Sequence, residues 1–188
     1  MQIDYEHLEN QVTKAELEKF RALKRVKVVI DIGAKNNIEM IQLKPKAIFH
    51  LFEPKKKTFE ELQVKVGSYP NVYLNNFGIA DRETELSYDE GSEMFEESEA
   101  NPAKNGHLYP VKTLDSYLEK NNIARIDFLK IDAEAWDYKI LKGNPKAVSM
   151  ARYIQYEYWN DPKEFEELLG KDFILEEIGG RNVFCTRK

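Results

Sequence analysis

"VVIDIGAKNN", Val28 to Asn37, is the stretch on which the reading of the whole chain turns. Its first five residues are apolar except for Asp31, a run that suits a strand covered on both faces of a parallel sheet. Gly33 follows the strand at once and opens a turn, as at the start of a nucleotide-binding loop. The later glycines of such a loop are missing, and Lys35, Asn36 and Asn37 stand in their place. Asn37 tolerates a left-handed backbone better than most residues, so a turn there remains accessible.

The same pattern repeats outward from this point. "KAIFHLFEP" (46–54) is a second buried run that ends in an acid, and a helix is expected over 55–66. "NVYLNNFGIA" (71–80) is a third strand with its exit. "ETELSYDE" and "LYPVKT" are shorter strands on either side of an acidic loop, and a helix is expected over 113–122 with Thr113 or its neighbour as cap. "RIDFLKIDAEAW" (125–136) is the fourth core strand, followed by a helix that stops at Gly143. "ARYIQYEYWN" (151–160) is the fifth strand, "PKEFEELLG" a helix, and "FILEEIGGRNVFCTR" (173–187) a hairpin turning at Gly179-Gly180. Upstream, the spacing of Leu8, Val12, Ala15, Leu17 and Phe20 predicts a leading amphipathic helix over 4–23. Strands alternating with helices imply an α/β fold, a doubly wound, mainly parallel sheet of Rossmann type. The hairpin adds an antiparallel edge. The expected organisation is a helix within 1–25 packing on one globular domain, 26–188.

Composition narrows the function. A chain of 188 residues suggests one domain, and 42% hydrophobic residues with 10 Phe and 10 Tyr supply a core. The 28 basic and 33 acidic residues are well mixed, which gives no footprint for nucleic acid. Cys185 is the only cysteine, so neither an internal disulfide nor a cysteine zinc site is expected, and a reducing compartment is the default. The first residues are too charged for a signal peptide and no apolar run approaches a membrane span, so a soluble, cytoplasmic protein with no membrane partner is expected. The acidic stretch Tyr88–Pro102 reads as a solvated loop, and 89–110 as a lid.

In a sheet of this kind ligands bind beyond the carboxyl ends of the strands. Acids gather at those ends: Asp31 on the first strand, Glu53 on the second, Asp132 and Glu134 after the fourth, Glu157 on the fifth. Asn75 and Asn76 close the third. A dinucleotide needs three spaced glycines to seat its pyrophosphate on backbone amides. S-adenosylmethionine has no phosphate, so one glycine suffices for its amino-acid tail. An acid about 20 residues further on accepts its ribose hydroxyls, and Glu53 stands at that distance from Asp31.

The residues also resemble a known family. "VVIDIGA", "FEP", "VKTLDSYLEKNNIARIDFLKIDAEAWDYKILKG" and "IQYEY" look like FkbM-type methyltransferases over roughly 26–188. Thr113, Leu114, Asp115, Lys130, Asp132, Glu134, Leu141, Lys142 and Gly143 match the family pattern, while Ala135 and Asp137 depart from it. The resemblance implies a class I methyltransferase fold, S-adenosylmethionine as donor, and O-methylation of a hydroxyl on a sugar, glycan or small natural product. By position it implies Asp31, Gly33 and Glu53 as cofactor residues, with neighbours Ala34, Lys35, Pro54 and Asn76, and places Asp132 where methyl group and acceptor meet.

Asp132, Glu134 and His107 are the candidate bases for such a transfer. A second arrangement puts a divalent ion such as Mg²⁺ on Asp132 and Glu157, with Glu134 as a further ligand. Only two firm oxygen ligands are evident, which favours the metal-free base. Trp136, Tyr156, Tyr158 and Trp159 beside the strand exits are candidates for sugar stacking or for core packing. Two rival functions stay open, a nicotinamide-dependent oxidoreductase or epimerase and a cofactor-binding module without catalysis.

Overall fold

The structure is a computed structural model that describes residues 5–35, 38–88, 95–96, 107–159 and 161–188. Asn36, Asn37 and most of the expected lid over 89–110 lie outside the described residues. The chain starts with helix α1 (Tyr5–Ala22), strand β1 (Val28–Ile32), helix α2 (Glu39–Leu43), β2 (Ile48–Phe52), α3 (Lys56–Val66) and β3 (Val72–Asn75). It continues with β4 (Gly78–Ala80), β5 (Thr84–Tyr88), β6 (Phe95–Glu96), β7 (His107–Thr113), α4 (Leu114–Lys120) and β8 (Ile126–Ile131). The last elements are α5 (Asp137–Gly143), α6 (Pro145–Met150), β9 (Ala151–Glu157), α7 (Pro162–Leu169), β10 (Phe173–Gly179) and β11 (Asn182–Arg187). Among the described residues no helix is long and apolar enough to cross a membrane.

Seven strands form the main sheet in the order β10-β11-β9-β8-β1-β2-β3, all parallel except β11, which runs against both neighbours. The expected mainly parallel sheet with an antiparallel hairpin is therefore what forms. β1 has β2 on one side and β8 on the other, so the winding reverses there and opens a crevice at the carboxyl edge. Side chains alternate across the sheet. Val29 and Phe128 join one apolar layer, and Ile30, Ile32, Leu129 and Ile131 the other. α1 lies on the first layer against β10 and α2. Its Phe20 is fully buried with its ring centroid 4.9 Å from that of Phe128.

The structure departs from the sequence reading in two places. The strand expected over 71–80 is two strands in two sheets, because β4 leaves to pair with β7 in a smaller sheet of order β4-β7-β5-β6. The asparagines make the break. Asn75 Nδ2 donates to Leu51 O at 3.1 Å and Asn76 Nδ2 to Glu53 O at 3.0 Å, so both tie the chain to the end of β2 instead of extending it. The short helices α2 and α6 also went unforeseen, since five or six residues show too little periodicity. α6 is imposed from outside: Asp115 on α4 accepts from Lys146 N at 3.0 Å and Ala147 N at 2.7 Å. Gly143 ends α5 as expected, for a packing reason. A Cβ there would come within 2.5 Å of Asp81 Cα.

Candidate active site

β1 and β8 run in register, with Asp31 beside Lys130 and Ile32 beside Ile131. Asp132 N then donates to Ile32 O at 3.0 Å, so the chain leaving β8 crosses directly over the first turn. That crossing explains the lone glycine. Gly33 has φ +76°, and a Cβ on it would lie 2.0 Å from Asp132 O. Gly33 N and Ala34 N both donate to Phe52 O, at 3.0 and 3.1 Å, which fastens the turn to the end of β2.

Glu53 follows β2 and is buried. Its Oε2 accepts from Lys35 N at 3.2 Å and its Oε1 from Lys55 N at 2.9 Å. A carboxylate has about four acceptor positions, so roughly two remain for a ligand. Burial pushes its pKa up, and the two amides and their lysines oppose that push. The carboxylate faces a cavity of about 410 Å³. Lys35, Lys55, Thr58, Asp132 and Glu134 supply the rest of its polar lining, Gly33 and Pro54 lie on the same rim, and Ile79, Leu86, Val111 and Trp136 form an apolar wall.

Of the expected cofactor residues, then, Gly33, Lys35, Glu53 and Pro54 line one cavity. Ala34 is buried in the core below the turn, and Asn76 braces Glu53 and Pro54 from behind through their carbonyls. Asp31 lies beneath the turn, 1% exposed. Its buried Oδ1 has no hydrogen-bond partner among the described residues. Burial pushes the Asp31 pKa up to about 6, against the pull of Lys130.

Asp132 and Glu134 share this rim, and Lys130 governs Asp132. Its Nζ donates to Asp132 Oδ2 at 3.0 Å. Burial alone would raise the Asp132 pKa, but Lys130 and Lys35 outweigh it and hold the carboxyl below its ordinary value. Lys35 Nζ bridges the two loops, 2.9 Å from Glu134 Oε1 and 4.0 Å from Asp132 Oδ1. The backbone around it is strained, with φ of 45° at Lys35, 47° at Glu134 and 66° at Ala135. Left-handed non-glycine residues cluster at functional sites, where the surrounding structure enforces them. Ala135 stands where the family pattern has glycine, and it keeps a glycine-like backbone.

Glu157 does not line the cavity; it ends β9 beside it. Asp137 links the two, accepting from Ala133 N at 3.1 Å and Glu157 N at 3.0 Å. Burial pushes the Asp137 pKa up to about 7. No group of three acids, histidines or cysteines among the described residues comes together to hold a metal ion. Trp136 lines the cavity, whereas Tyr156 is core, stacked on Phe165 at 4.4 Å. His107 opens β7 opposite Tyr88, and its side chain lies outside the described residues.

Sequence reasoning missed two residues. Lys130 was legible as the one charge inside the apolar run "FLKI", where a buried ammonium requires partners. Glu16 sits one turn before Phe20 on the same face of α1, half-buried. Burial pushes its pKa up to about 7, opposed by Lys130 and reinforced by Asp132, Asp31 and Glu157. α1 thus brings a further acid towards the site.

Comparison with known proteins agrees with this geometry. A family model described as "Methyltransferase FkbM domain" matches residues 31–178. The hexuronic acid methyltransferase AglP of Haloferax volcanii is 23% identical over 156 residues, which is 80% of this chain. The chain spans 64%, just under two thirds, of the length of that curated relative. Among solved structures, an rRNA methylase from Streptococcus thermophilus superposes with a TM-score of 0.54 at 10% identity, over 93% of this chain and 94% of that one. The magnesium protoporphyrin IX methyltransferase from Synechocystis PCC 6803, solved with bound S-adenosylmethionine, gives 0.53 at 12% identity, over 100% and 86%. These likenesses show the class I methyltransferase fold. The chain belongs to the FkbM methyltransferase family, and its domain is that of an S-adenosylmethionine-dependent methyltransferase.

Proposed function

We propose that the protein methylates a hydroxyl group of a sugar or glycan, with a sugar acid as the acceptor that the relative from Haloferax volcanii suggests. The residues fit the methyl donor. Gly33 keeps the turn open where any Cβ would collide, and Glu53 retains acceptor positions for a ribose diol. Lys35 on the cavity rim offers its ammonium to the carboxylate of an amino-acid tail. When bound, S-adenosylmethionine supplies a methyl group already activated by its sulfonium.

The chain's own task is alignment and proton removal. Lys130 occupies Asp132 Oδ2, which leaves Oδ1 to receive a hydrogen bond from the acceptor hydroxyl. A hydroxyl oxygen that gains a third bond, to the methyl carbon, becomes a protonated ether and is far more acidic than a carboxylic acid. A carboxylate held below its ordinary pKa is therefore still a competent proton acceptor at that moment. The observation that carries this reading is the Lys130-held Asp132 carboxylate on the same cavity rim as Gly33 and Glu53.

The test is transfer of labelled methyl from S-adenosylmethionine to a panel of sugars, nucleotide sugars and oligosaccharides. Asp132→Asn should lower kcat by roughly 10²–10⁴-fold with little change in cofactor affinity. Full activity in Asp132→Asn removes that residue from the mechanism. Methyl transfer to non-sugar acceptors alone ends the sugar reading.

A further inference from the structure

Beyond the cavity, the carboxyl end of β9 carries a second constellation. Pairing of β11 with β9 sets Asn182 opposite Glu157, and Tyr158 N donates to Arg181 O at 2.9 Å. The hairpin turn thereby delivers Arg181 to the strand exit. Its guanidinium carbon lies 3.5 Å from the centroid of the Trp159 ring. Both side chains converge on one carboxylate. Trp159 Nε1 donates to Glu157 Oε2 at 3.2 Å, and Arg181 Nε stands 3.4 Å from Glu157 Oε1.

This group is more than a surface contact. An exposed cation on an aromatic ring contributes only about 0.5–1 kcal/mol, too little to fix a geometry by itself. Here the buried Asp137 carboxylate clamps Glu157 N and Ala133 N together, so the group is braced against the turn that carries Asp132. It nevertheless stays open to ligand. Trp159 is 40% exposed, and the Arg181 side chain 44%. With Nε turned to Glu157, the guanidinium still carries four N–H donors on Nη1 and Nη2.

The chemistry of the three groups is complementary to one class of molecule. The C–H face of a pyranose is apolar and packs on an indole face that the Arg181 guanidinium does not cover. Its hydroxyls donate to a carboxylate such as Glu157. A carboxylate on the ring matches the fork of an arginine, which binds such groups in bidentate fashion. The charges also set the orientation. Asp132 and Glu134 repel an anion from the methyl-transfer end, so an acidic ring enters with its carboxylate on Arg181 and a hydroxyl towards Asp132.

We propose that Trp159, Arg181 and Glu157 form the acceptor subsite, and that it selects a sugar ring bearing a carboxylate. The inference rests on the sugar-methylating function proposed above. The test measures binding of 4-nitrophenyl β-D-glucuronide and of the neutral 4-nitrophenyl β-D-glucoside to protein saturated with S-adenosylhomocysteine. Wild type should bind the glucuronide at least tenfold more tightly than the glucoside. Arg181→Ala and Arg181→Gln should abolish that preference, weakening the glucuronide at least tenfold more than the glucoside. Trp159→Ala should weaken both ligands. S-adenosylhomocysteine affinity, measured in parallel, should stay constant and so certify that the variants are folded. Glucuronide that fails to bind, or that binds Arg181→Gln as tightly as wild type, overturns the subsite, as does a product methylated on its carboxylate. If neutral sugars are methylated and Arg181 has no influence, the subsite fails and the function stands. If only non-sugar acceptors are methylated, both fail.

Discussion

Lys130 Nζ lies 3.0 Å from Asp132 Oδ2 and 4.0 Å from Asp31 Oδ1, so one buried ammonium stands between the acids that end two neighbouring strands. Its own pKa is raised, because the two carboxylates outweigh the effect of burial. Removing the cation leaves uncompensated charge in a nearly dry place, the costly way to break a buried pair. Lys130→Met should lower stability by on the order of 3 kcal/mol and reduce kcat as Asp132 loses its fixed orientation, and Lys130→Arg should recover part of both. Urea unfolding and steady-state kinetics check this; a Met variant as stable and active as wild type would show that the cluster holds nothing in place.

The backbone of the first turn offers a paired test. Gly33→Ala adds a Cβ 2.0 Å from Asp132 O at φ +76°, a collision with main chain. It should cost more than about 2 kcal/mol and abolish binding of S-adenosylhomocysteine. Ala135→Gly should act in the opposite sense. Relief of a left-handed alanine at φ 66° exceeds the entropy cost of glycine, for a net gain of about 0.5–1 kcal/mol. Thermal unfolding of the two variants side by side settles the matter, and destabilisation by Ala135→Gly would contradict the strain assigned there.

The threonine-leucine-aspartate element invites a catalytic reading, yet the structure gives it a scaffold role. Thr113 accepts from Ser116 N at 3.2 Å as the cap of α4, and Asp115 caps α6. Asp115→Ala should therefore cost about 1–2 kcal/mol of stability, the worth of a helix cap, while cofactor affinity and kcat of the folded protein stay near wild type. A large loss of kcat in a fully folded variant would move Asp115 into the chemistry.

Stability should rise on mild acidification. Burial raises the folded-state pKa of Asp137 and Glu16 to about 7 and of Asp31 to about 6, all above their ordinary values. Such groups take up protons more readily in the folded state, so their contribution grows as pH falls through that range. His50 acts in the reverse sense. Its pKa is lowered by burial to about 4, so it loses stability as pH falls from its ordinary 6.5. The urea midpoint should increase from pH 8 down to about pH 5, less steeply below the ordinary histidine range because His50 offsets part of the gain, and His50→Asn should steepen that lower part of the rise. A midpoint that falls between pH 8 and 6.5 would refute the assignment.

Much of the site was legible because strand ends are legible. Buried runs that stop at an acid locate the carboxyl edge of the sheet, and Asp31, Glu53, Asp132 and Glu157 all fall there. What spacing conveys poorly is which of those acids faces ligand. Asp31 looked like a contact residue and lies beneath the turn, while Asn76 looked the same and braces the loop from behind. Side-chain direction after a strand ends depends on the turn that follows, and three left-handed residues in these turns carry no signature in residue type.

The sequence by itself determined the alternation of strands and helices, the hairpin and the lone glycine with its distant acid, since these follow from local periodicity and backbone preference. Tertiary structure alone decided the reason for that glycine, a carbonyl arriving from Asp132 some hundred residues further along the chain. It also decided the cation between Asp31 and Asp132, the reach of Glu16 from α1, and the clamp of Asp137 on two strand exits. The physical cause is the same in each case. These features arise from strand register and layer packing, which bring distant residues within hydrogen-bond range, and no local pattern in the chain encodes that distance.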